Sequence, residues 1–505
     1  MADPVETEIK LIARPAMLEA LRDHPALRGA ETAAVLANTW FDSEQGDLHR
    51  AGATLRIRDR GGHREQTLKL ASPAGGGVRR REWNAAATSD QPDLALLPAK
   101  PRAQLKCLLE DRPLVPVGTA QVRRLEREVG HGGSVISLAF DEGEITAGGR
   151  SEPVCELELE LRSGRLADVL TMALALPLGP HLQWSVRSKS DRGRALASGT
   201  APPALQAPPI VLDPAMTPAA AFRAIGWSGL GHFLANLQPV IDTGAPVAIH
   251  QSRVALRRLR AAIKLFRPVV HDARADLLRD ALGTVARGLA PARELHVLHE
   301  QLAAAAQARS LDAKELLAHV GVLEAAAAGT ARTVLASEEC QYLLFEFAHW
   351  LEAGDWTVSA AQRPREDTMR AFGSHALCRL RRKLRDRHGA LAGMDDARRH
   401  RIRLGAKQLR YVVQFLDTVW PSQPGRRRFA AALGRLQDTL GALNDTAVAQ
   451  AQRGHVLAGL DEARAGRLGH RYDTLMEARA EAEAHLLERA QRSFDLIVSA
   501  DPWWK

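Results

Sequence analysis

A proline-dense stretch near the middle of the chain separates two incompatible hydrophobic periodicities, and this limits the fold more than any other feature. Residues 198–218, SGTAPPALQAPPIVLDPAMTP, include Pro202, Pro203, Pro208, Pro209, Pro214 and Pro218. Proline lacks a backbone N–H and fixes φ, so this density excludes a helix and favours an extended, semi-rigid linker. Before the stretch, apolar residues alternate with polar ones in short runs broken by Gly, Pro and Asp. After it, long Ala/Leu/Arg segments repeat about every 3.6 residues to the end. The first period belongs to strands and the second to helices. The expected architecture is α+β and multidomain: a strand-rich domain over 1–200, a linker over 201–218 and an all-helical domain over 219–500. A length of 505 residues is ample for this, since a domain takes roughly 100–200.

Charge divides along the same line. The chain has 68 Lys+Arg against 59 Asp+Glu, a formal net charge of +9. Residues 201–505 hold 41 basic and 32 acidic residues, the whole excess, whereas residues 1–200 balance at 27 of each. A diffusely basic protein would not split this way, so the halves have different tasks. With 46% hydrophobic and 25% charged residues, wholesale disorder is excluded. No apolar run approaches the ~18 residues of a membrane span, and the acidic opening MADPVETEIK lacks the pattern of a signal peptide. Cys107, Cys155, Cys340 and Cys378 stand far apart with no C-x-x-C, against a disulfide framework or zinc cluster. A reducing, cytoplasmic setting without membrane association is expected.

In the first half, several alternating runs carry almost pure charge on their polar face. VETEIKLI sets Glu6, Glu8 and Lys10 against Val5, Ile9 and Leu11, and LRIR sets Arg56 and Arg58 against Leu55 and Ile57. QTLKL places Lys69 between leucines, and CELELEL sets Glu156, Glu158 and Glu160 against Leu157, Leu159 and Leu161. SLAFDEGEI adds Asp141, Glu142 and Glu144 around an expected turn at Gly143. Such alternation makes half-buried antiparallel strands. A solvated face usually mixes Thr, Ser, Gln and Lys, which these runs do not. If the sheet closes with that face inward, the charges must pair, bind a polyanion or hold a hard cation. The glutamates suit a divalent metal. Arg56, Arg58, Lys69, Arg81, Lys189 and Arg192 suit phosphate oxygens. Together they describe metal-assisted phosphoanhydride chemistry. No G-x-x-x-x-G-K-[ST] occurs, so a P-loop is not expected, and the Gly75–Gly77 run reads as a turn.

At these residues the first half resembles the CYTH domain of the triphosphate tunnel metalloenzymes. The matching pieces, in order, are VETEIK, FDSEQGDLHRAGATLRIR, QTLKL, RREW, SLAFDEGEI, CELELEL and SVRSKSDRG. The resemblance implies an eight-stranded antiparallel β-tunnel that hydrolyses or cyclises triphosphates with Mg²⁺ or Mn²⁺. It implies metal binding by Glu6 and Glu8 and by two of Glu156, Glu158 and Glu160, with Lys10 completing the opening motif. It implies phosphate binding at Arg56, Arg58, Lys69, Lys189 and Arg192, with Arg81, Glu82 and Arg123 alongside.

The second half repeats a basic stripe. HQSRVALRRLRAAIKLF has His250, Arg253, Arg257, Arg260 and Lys264, and HRIRLGAKQLRYVVQF has His400, Arg403, Lys407 and Arg410, at matching offsets. On a helix each set lies along one face, about 15–20 Å long at 1.5 Å per residue. LGTVARGLAPARELHVL and LGRLQDTLGALNDTAVA each follow about 32 residues after the histidine, which marks an internal duplication over about 219–350 and 366–500. One basic face is ordinarily just solvated, but solvation does not require a repeated His/Arg/Lys spacing. The run Arg379, Arg381, Arg382, Lys383 and Arg385 precedes the second stripe; it either extends that surface or, as a single run, is solvated or counter-ion bound. The pattern resembles a CHAD domain, a helical family whose histidines and basic residues engage polyphosphate. The first repeat departs from the family's acidic turn, with Arg293, Glu294 and His296 in its place.

The leading functional expectation is therefore a divalent-metal-dependent inorganic triphosphatase acting on tripolyphosphate, with a helical domain that binds polyphosphate. Alternatives are a non-catalytic polyphosphate-binding protein and a tunnel enzyme acting on ATP or thiamine triphosphate. A dedicated nucleic-acid role is disfavoured by 5% aromatics, three tyrosines and the lack of a reading motif.

Overall fold

The computed structural model describes residues 4–71, 76–200, 203–361, 368–480 and 483–504. Pro202 of the expected linker, Gly75 of the glycine run and residue 366 at the start of the expected second repeat lie outside them. The chain divides into two compact units. One comprises 1–208 with 227–242 and 335–354, and the other comprises 209–226, 243–334 and 355–505.

Among the described residues the first unit has nine strands: β1 (Val5–Ala13), β2 (Glu31–Asp42), β3 (Ala53–Arg60), β4 (His63–Ala71), β5 (Arg79–Ala87), β6 (Val115–His131), β7 (Ser134–Ala147), β8 (Arg150–Ser163) and β9 (Leu182–Ser185). Antiparallel pairing runs β5-β4-β3-β2-β6-β7-β8-β1, and a β1–β5 pairing closes these eight into a barrel. The short β9 adds to the far half of β1, where Lys10 pairs Ser185. Gly-Gly pairs 61–62, 132–133 and 148–149, all at positive φ, make the tight β3–β4, β6–β7 and β7–β8 turns. Gly143, expected to form a turn, lies instead in the middle of β7. There a Cβ would sit 2.0 Å from the Gln121 carbonyl oxygen, so glycine serves close strand approach rather than chain reversal.

The apolar faces of the strands point outward. Leu55, Leu68, Leu70 and Trp83 pack with Leu105 and Leu109 of the helix Ala99–Leu109. The charged faces consequently turn inward. The order of a usual small barrel, with an apolar filling, is reversed, and the lumen remains a polar cavity.

The second unit is helical. The stripe helices span Pro246–Phe266 and Asp396–Phe415. Asp272 and Asp395 cap the helices Ala273–Gly288 and Asp396–Phe415 by accepting backbone N–H bonds. Where the two sequence repeats correspond, the first is broken at Leu289 before Pro291, giving Ala273–Gly288 and Ala290–Ala308. The second continues as one helix, Pro424–Leu457. Proline at the first helical turn accounts for that difference. Leu295, Leu298 and Leu302 form a core with Leu316, Val320, Val456, Leu468 and Leu475.

Candidate active site

The barrel encloses a cavity of about 730 Å³ lined by Glu6, Glu8, Lys10, Arg56, Arg58, Lys69, Glu158, Glu160 and Lys189, among others. Pairing register explains the convergence. Glu8 stands opposite Glu160 and Lys10 opposite Glu158, while Lys69 stands opposite Glu82. Alternation then sends all of them to the same face.

Three groups of charge divide the wall. In the first, Lys69 Nζ donates to both Glu6 oxygens at 2.7 and 2.6 Å and lies 3.5 Å from Glu82. Burial pushes the Glu82 carboxyl up, but Lys69 and Arg56 hold it below the ordinary carboxylate range.

The second group surrounds Lys189, whose Nζ lies 2.8 Å from Asp141, 2.7 Å from Glu156 and 2.9 Å from Glu158. Lys189 opens the helix Lys189–Ser198, fixed by a capping box. The Ser188 side chain accepts from the Asp191 amide, and the Asp191 carboxylate accepts from the Ser188 amide. Arg124 grips Asp141 with two bonds of 2.7 Å and reaches Glu158 at 2.6 Å. Lys10 lies 3.4 Å from Glu158 and 3.7 Å from Glu8. Despite full burial, these cations hold Glu156 and Glu158 below their ordinary range. The same carboxylates hold Lys189 and Arg124 above theirs against the opposing effect of burial.

The third group is cationic. Arg58 donates from Nε to Asn38 at 3.0 Å, and burial, followed by Arg56 and Arg124, brings it down to about 9. The Nε of Arg56 is buried without a hydrogen-bond partner. Guanidinium groups held together with unfilled donors make an anion receptor.

A divalent cation can be tested against these carboxylates. Asp141, Glu156 and Glu158 bring one oxygen each within 4.8 Å of one another, but Lys189, Arg124 and Arg192 already neutralise them. Glu160 is different. Burial raises it to about 7, with Arg162 opposing and Glu6, Glu8 and Glu82 adding to the rise. Glu8 is likewise raised by burial and by Glu158. Glu6, Glu8 and Glu160 thus gather on one wall, where Lys69 pairs Glu6, Arg162 pairs Glu160 at 2.7 Å and Lys10 stands 3.7 Å from Glu8. That donor set fits a hard cation with oxygen ligands.

Three expected residues lie elsewhere. Arg81 is absent from the lumen lining, with its guanidinium over the Trp83 ring on the outer face, 5.7 Å from the centroid. Arg80 lines the cavity in its place. Positions 79–82 are all charged, so no alternation among them reveals which arginine points in. Arg192 is buried behind the wall, where it holds Glu152 at 2.7 Å, the Pro153 carbonyl at 2.6 Å and Glu156. Glu156 is also fully buried and outside the lining. Residues that sequence reasoning missed are Asp141, obscured by the expected turn, and Arg124, whose neighbour Arg123 is the exposed one. Asn38 carried no charge to mark it.

In the helical unit, His250, Arg253 and Arg257 converge with Arg403, Lys407 and Arg293. Burial, then Arg257, Arg403 and Arg253, brings Lys407 down to about 7. Burial, then Arg293, Arg257 and Arg253, brings His250 down to about 4. The buried Nε atoms of Arg257, Arg260 and Arg403 have no hydrogen-bond partner. Arg253 donates to the Ala286 carbonyl at 2.6 Å and Arg410 to Gln437 at 3.1 Å. Lys264 and His400 are exposed and stand outside this mutual desolvation. Asp445, in the LGALND run, opposes the lowering at Arg293, Arg403 and Lys407. At position 296, the departure from the family pattern, His296 and His299 meet one carboxylate, Glu324, at 2.6 and 2.7 Å.

A closed antiparallel β-tunnel with an ionised lumen, joined to a duplicated basic helical region, defines the class of this protein. Residues 5–190 match the CYTH domain and residues 224–454 the CHAD domain: the chain is a CYTH domain followed by a CHAD domain. It is similar to the inorganic triphosphatase of Haemophilus influenzae, 30% identical over 169 residues, 32% of this chain. The match spans 46% of that protein, about half its length. It is also similar to the crystal structure of the CHAD domain from the plant Ricinus communis. That likeness has 26% identity and a TM-score of 0.51, covering 59% of this chain and 99% of the other. No helix among the described residues is long and apolar enough to cross a membrane.

Proposed function

We propose that the protein is a metal-dependent inorganic triphosphatase that hydrolyses tripolyphosphate in the lumen and binds polyphosphate on the helical domain. The observation that carries this reading is the lumen's division into a guanidinium wall and a wall of gathered carboxylates, Glu6, Glu8 and Glu160, within one cavity. Arg56, Arg58, Arg80 and Arg124 bind phosphate oxygens and hold the chain in line, while Lys69 and Lys10 complete the cradle from neighbouring strands. Their contribution is positioning and electrostatic stabilisation of charge that shifts onto the bridging oxygen, with no covalent intermediate. Glu6, Glu8 and Glu160 would hold Mg²⁺ or Mn²⁺. When bound, the ion neutralises phosphate charge and lowers the pKa of coordinated water. Asp141 and Glu156 keep Arg124, Lys189 and Arg192 in place. Similarity to a named inorganic triphosphatase over 169 residues supports the substrate class. So does the lumen, whose apolar lining is limited to Leu36, Trp40, Val122, Ala86 and Ala87.

For the helical domain, the support is the set of half-buried, mutually repelling Arg253, Arg257, Arg293, Arg403 and Lys407, with open Nε donors on Arg257 and Arg403. A chain of phosphates offers the repeated charge that relieves this repulsion. The test is phosphate release from tripolyphosphate, ATP and thiamine triphosphate, with and without divalent metal. Turnover of tripolyphosphate only with metal is expected. Robust metal-free turnover, or an inert lumen in a chain that still binds polyphosphate, would overturn the enzymatic reading.

A further inference from the structure

The barrel closes at its weakest seam beside the residues read as metal ligands. Strand β1 meets β5 over only three pairs, Val5–Arg81, Glu6–Arg80 and Thr7–Arg79. Two further backbone bonds complete the closure: Glu8 N donates to the Val78 carbonyl at 2.9 Å, and Glu82 N to the Pro4 carbonyl at 3.1 Å. The position of Glu8 therefore depends on where Val78 stands. Val78 follows Gly76 and Gly77, both at positive φ, and comes before the first residue of β5. Its place is set by Arg79 next to it.

Arg79 is held from outside the barrel wall. Its guanidinium lies over the Trp227 ring, 5.9 Å from the centroid, and its Nη2 donates to Glu352 Oε1 at 3.3 Å. The same Glu352 oxygen accepts from Trp227 Nε1 at 2.6 Å. The clasp leaves no spare room: a Cβ on Gly76 would come within 2.5 Å of Trp227 Cε3. Trp227 and Glu352 lie in the segments 227–242 and 335–354, which belong to the same compact unit as the tunnel.

We propose that Glu352 is a positioning residue for Glu6 and Glu8, acting through Arg79 and the β1–β5 seam. The proposal rests on reading Glu6 and Glu8 as metal ligands. Glu352 touches neither lumen nor substrate; it orients a strand start, and ligands displaced by about 0.5 Å lose their geometry. The conservative change Glu352→Gln keeps an oxygen acceptor for both Arg79 and Trp227, whereas Glu352→Ala removes it.

The experiment uses the full chain and reads Mn²⁺ binding by calorimetry, the Mn²⁺ dependence of tripolyphosphate hydrolysis, and thermal melting. Glu352→Ala is expected to weaken Mn²⁺ binding about 10-fold, the lower end for outer-shell partners. Glu352→Gln should stay within about 2-fold of the parent by keeping the acceptor. If Glu352→Ala fails to fold, Arg79→Met opens the same clasp from the other side and carries the test. Parent-like Mn²⁺ affinity in these variants overturns the proposal, as does equal weakening in Glu352→Gln that tracks a fall in melting temperature. A parent chain that binds no Mn²⁺ overturns it too. A parent that binds Mn²⁺ but leaves tripolyphosphate intact sinks the triphosphatase reading instead, and calorimetry still judges the seam.

Discussion

Lys189 Nζ stands 2.8 Å from Asp141 Oδ2, inside the group of carboxylates that would otherwise be the best-gathered cation site among the described residues. The ammonium acts as a tethered cation: Asp141, Glu156 and Glu158 stay ionised although buried, because Lys189 reaches all three. Removing one partner from a buried ionic group leaves charge uncompensated and costs about 3–5 kcal/mol. Lys189→Met should therefore melt at lower temperature in chelator and recover part of the loss in millimolar Mn²⁺, as the freed carboxylates take up the ion. Unchanged melting in chelator would contradict this balance.

Arg80 and Arg81 are adjacent but face opposite sides of β5. Arg80→Ala removes a lumen cation and should lower kcat/KM for tripolyphosphate by about 10-fold or more, the effect of roughly 1.4 kcal/mol. Arg81→Ala removes a side chain that stacks on Trp83 outside the lumen and should keep kcat/KM within about 2-fold, with a fall in melting temperature. Steady-state kinetics on the two variants decides the point.

Lys407 should make polyphosphate binding pH-dependent. Burial and Arg257, Arg403 and Arg253 bring it from the ordinary 10.5 to about 7. Between those values the unfolded chain holds the proton and the folded chain does not, so this group raises stability as pH climbs from 7 toward 10.5. A bound polyanion favours the charged form, so binding takes up a proton in that window. Affinity should fall as pH rises from 7 to 9, by up to about 10-fold per unit. Lys407→Arg, which stays charged, should flatten the profile measured by calorimetry. An equal slope in the variant would assign it elsewhere.

Arg257 lowers the pKa of His250, Arg253, Arg293, Arg403 and Lys407, so it repels most of the basic cluster. Arg257→Gln should stabilise the ligand-free protein by about 1 kcal/mol while weakening polyphosphate binding about 10-fold, a trade between stability and function. Denaturation and binding isotherms of the same variant must move in opposite directions.

Much of the tunnel was legible because its strands alternate. Glu6, Glu8 and Lys10 share a face by spacing alone, as do Arg56 and Arg58, and all five line one cavity. Alternation failed where every position was charged, as at Arg79–Arg80–Arg81, and where glycine was taken for a turn. At Gly143 the requirement was close approach to Gln121 across the sheet, a long-range demand with no local sign. In the helical half, the repeated spacing picked out His250, Arg253, Arg257, Arg403 and Lys407 of the cluster. It could not show that Arg293 joins them, or that Lys264 and His400 remain exposed.

The sequence by itself determined the two periodicities, the proline break between them, the segregation of charge and the duplicated stripe. These are local properties, written in the spacing of neighbouring residues. Only tertiary structure decided that the charged strand faces turn inward, that Lys189 rather than a free carboxylate set occupies the Asp141–Glu156–Glu158 group, and that Trp227 and Glu352 stand behind the seam. Each of these depends on residues tens to hundreds of positions apart meeting in a desolvated space. Burial, pairing and mutual repulsion arise only once the barrel has closed.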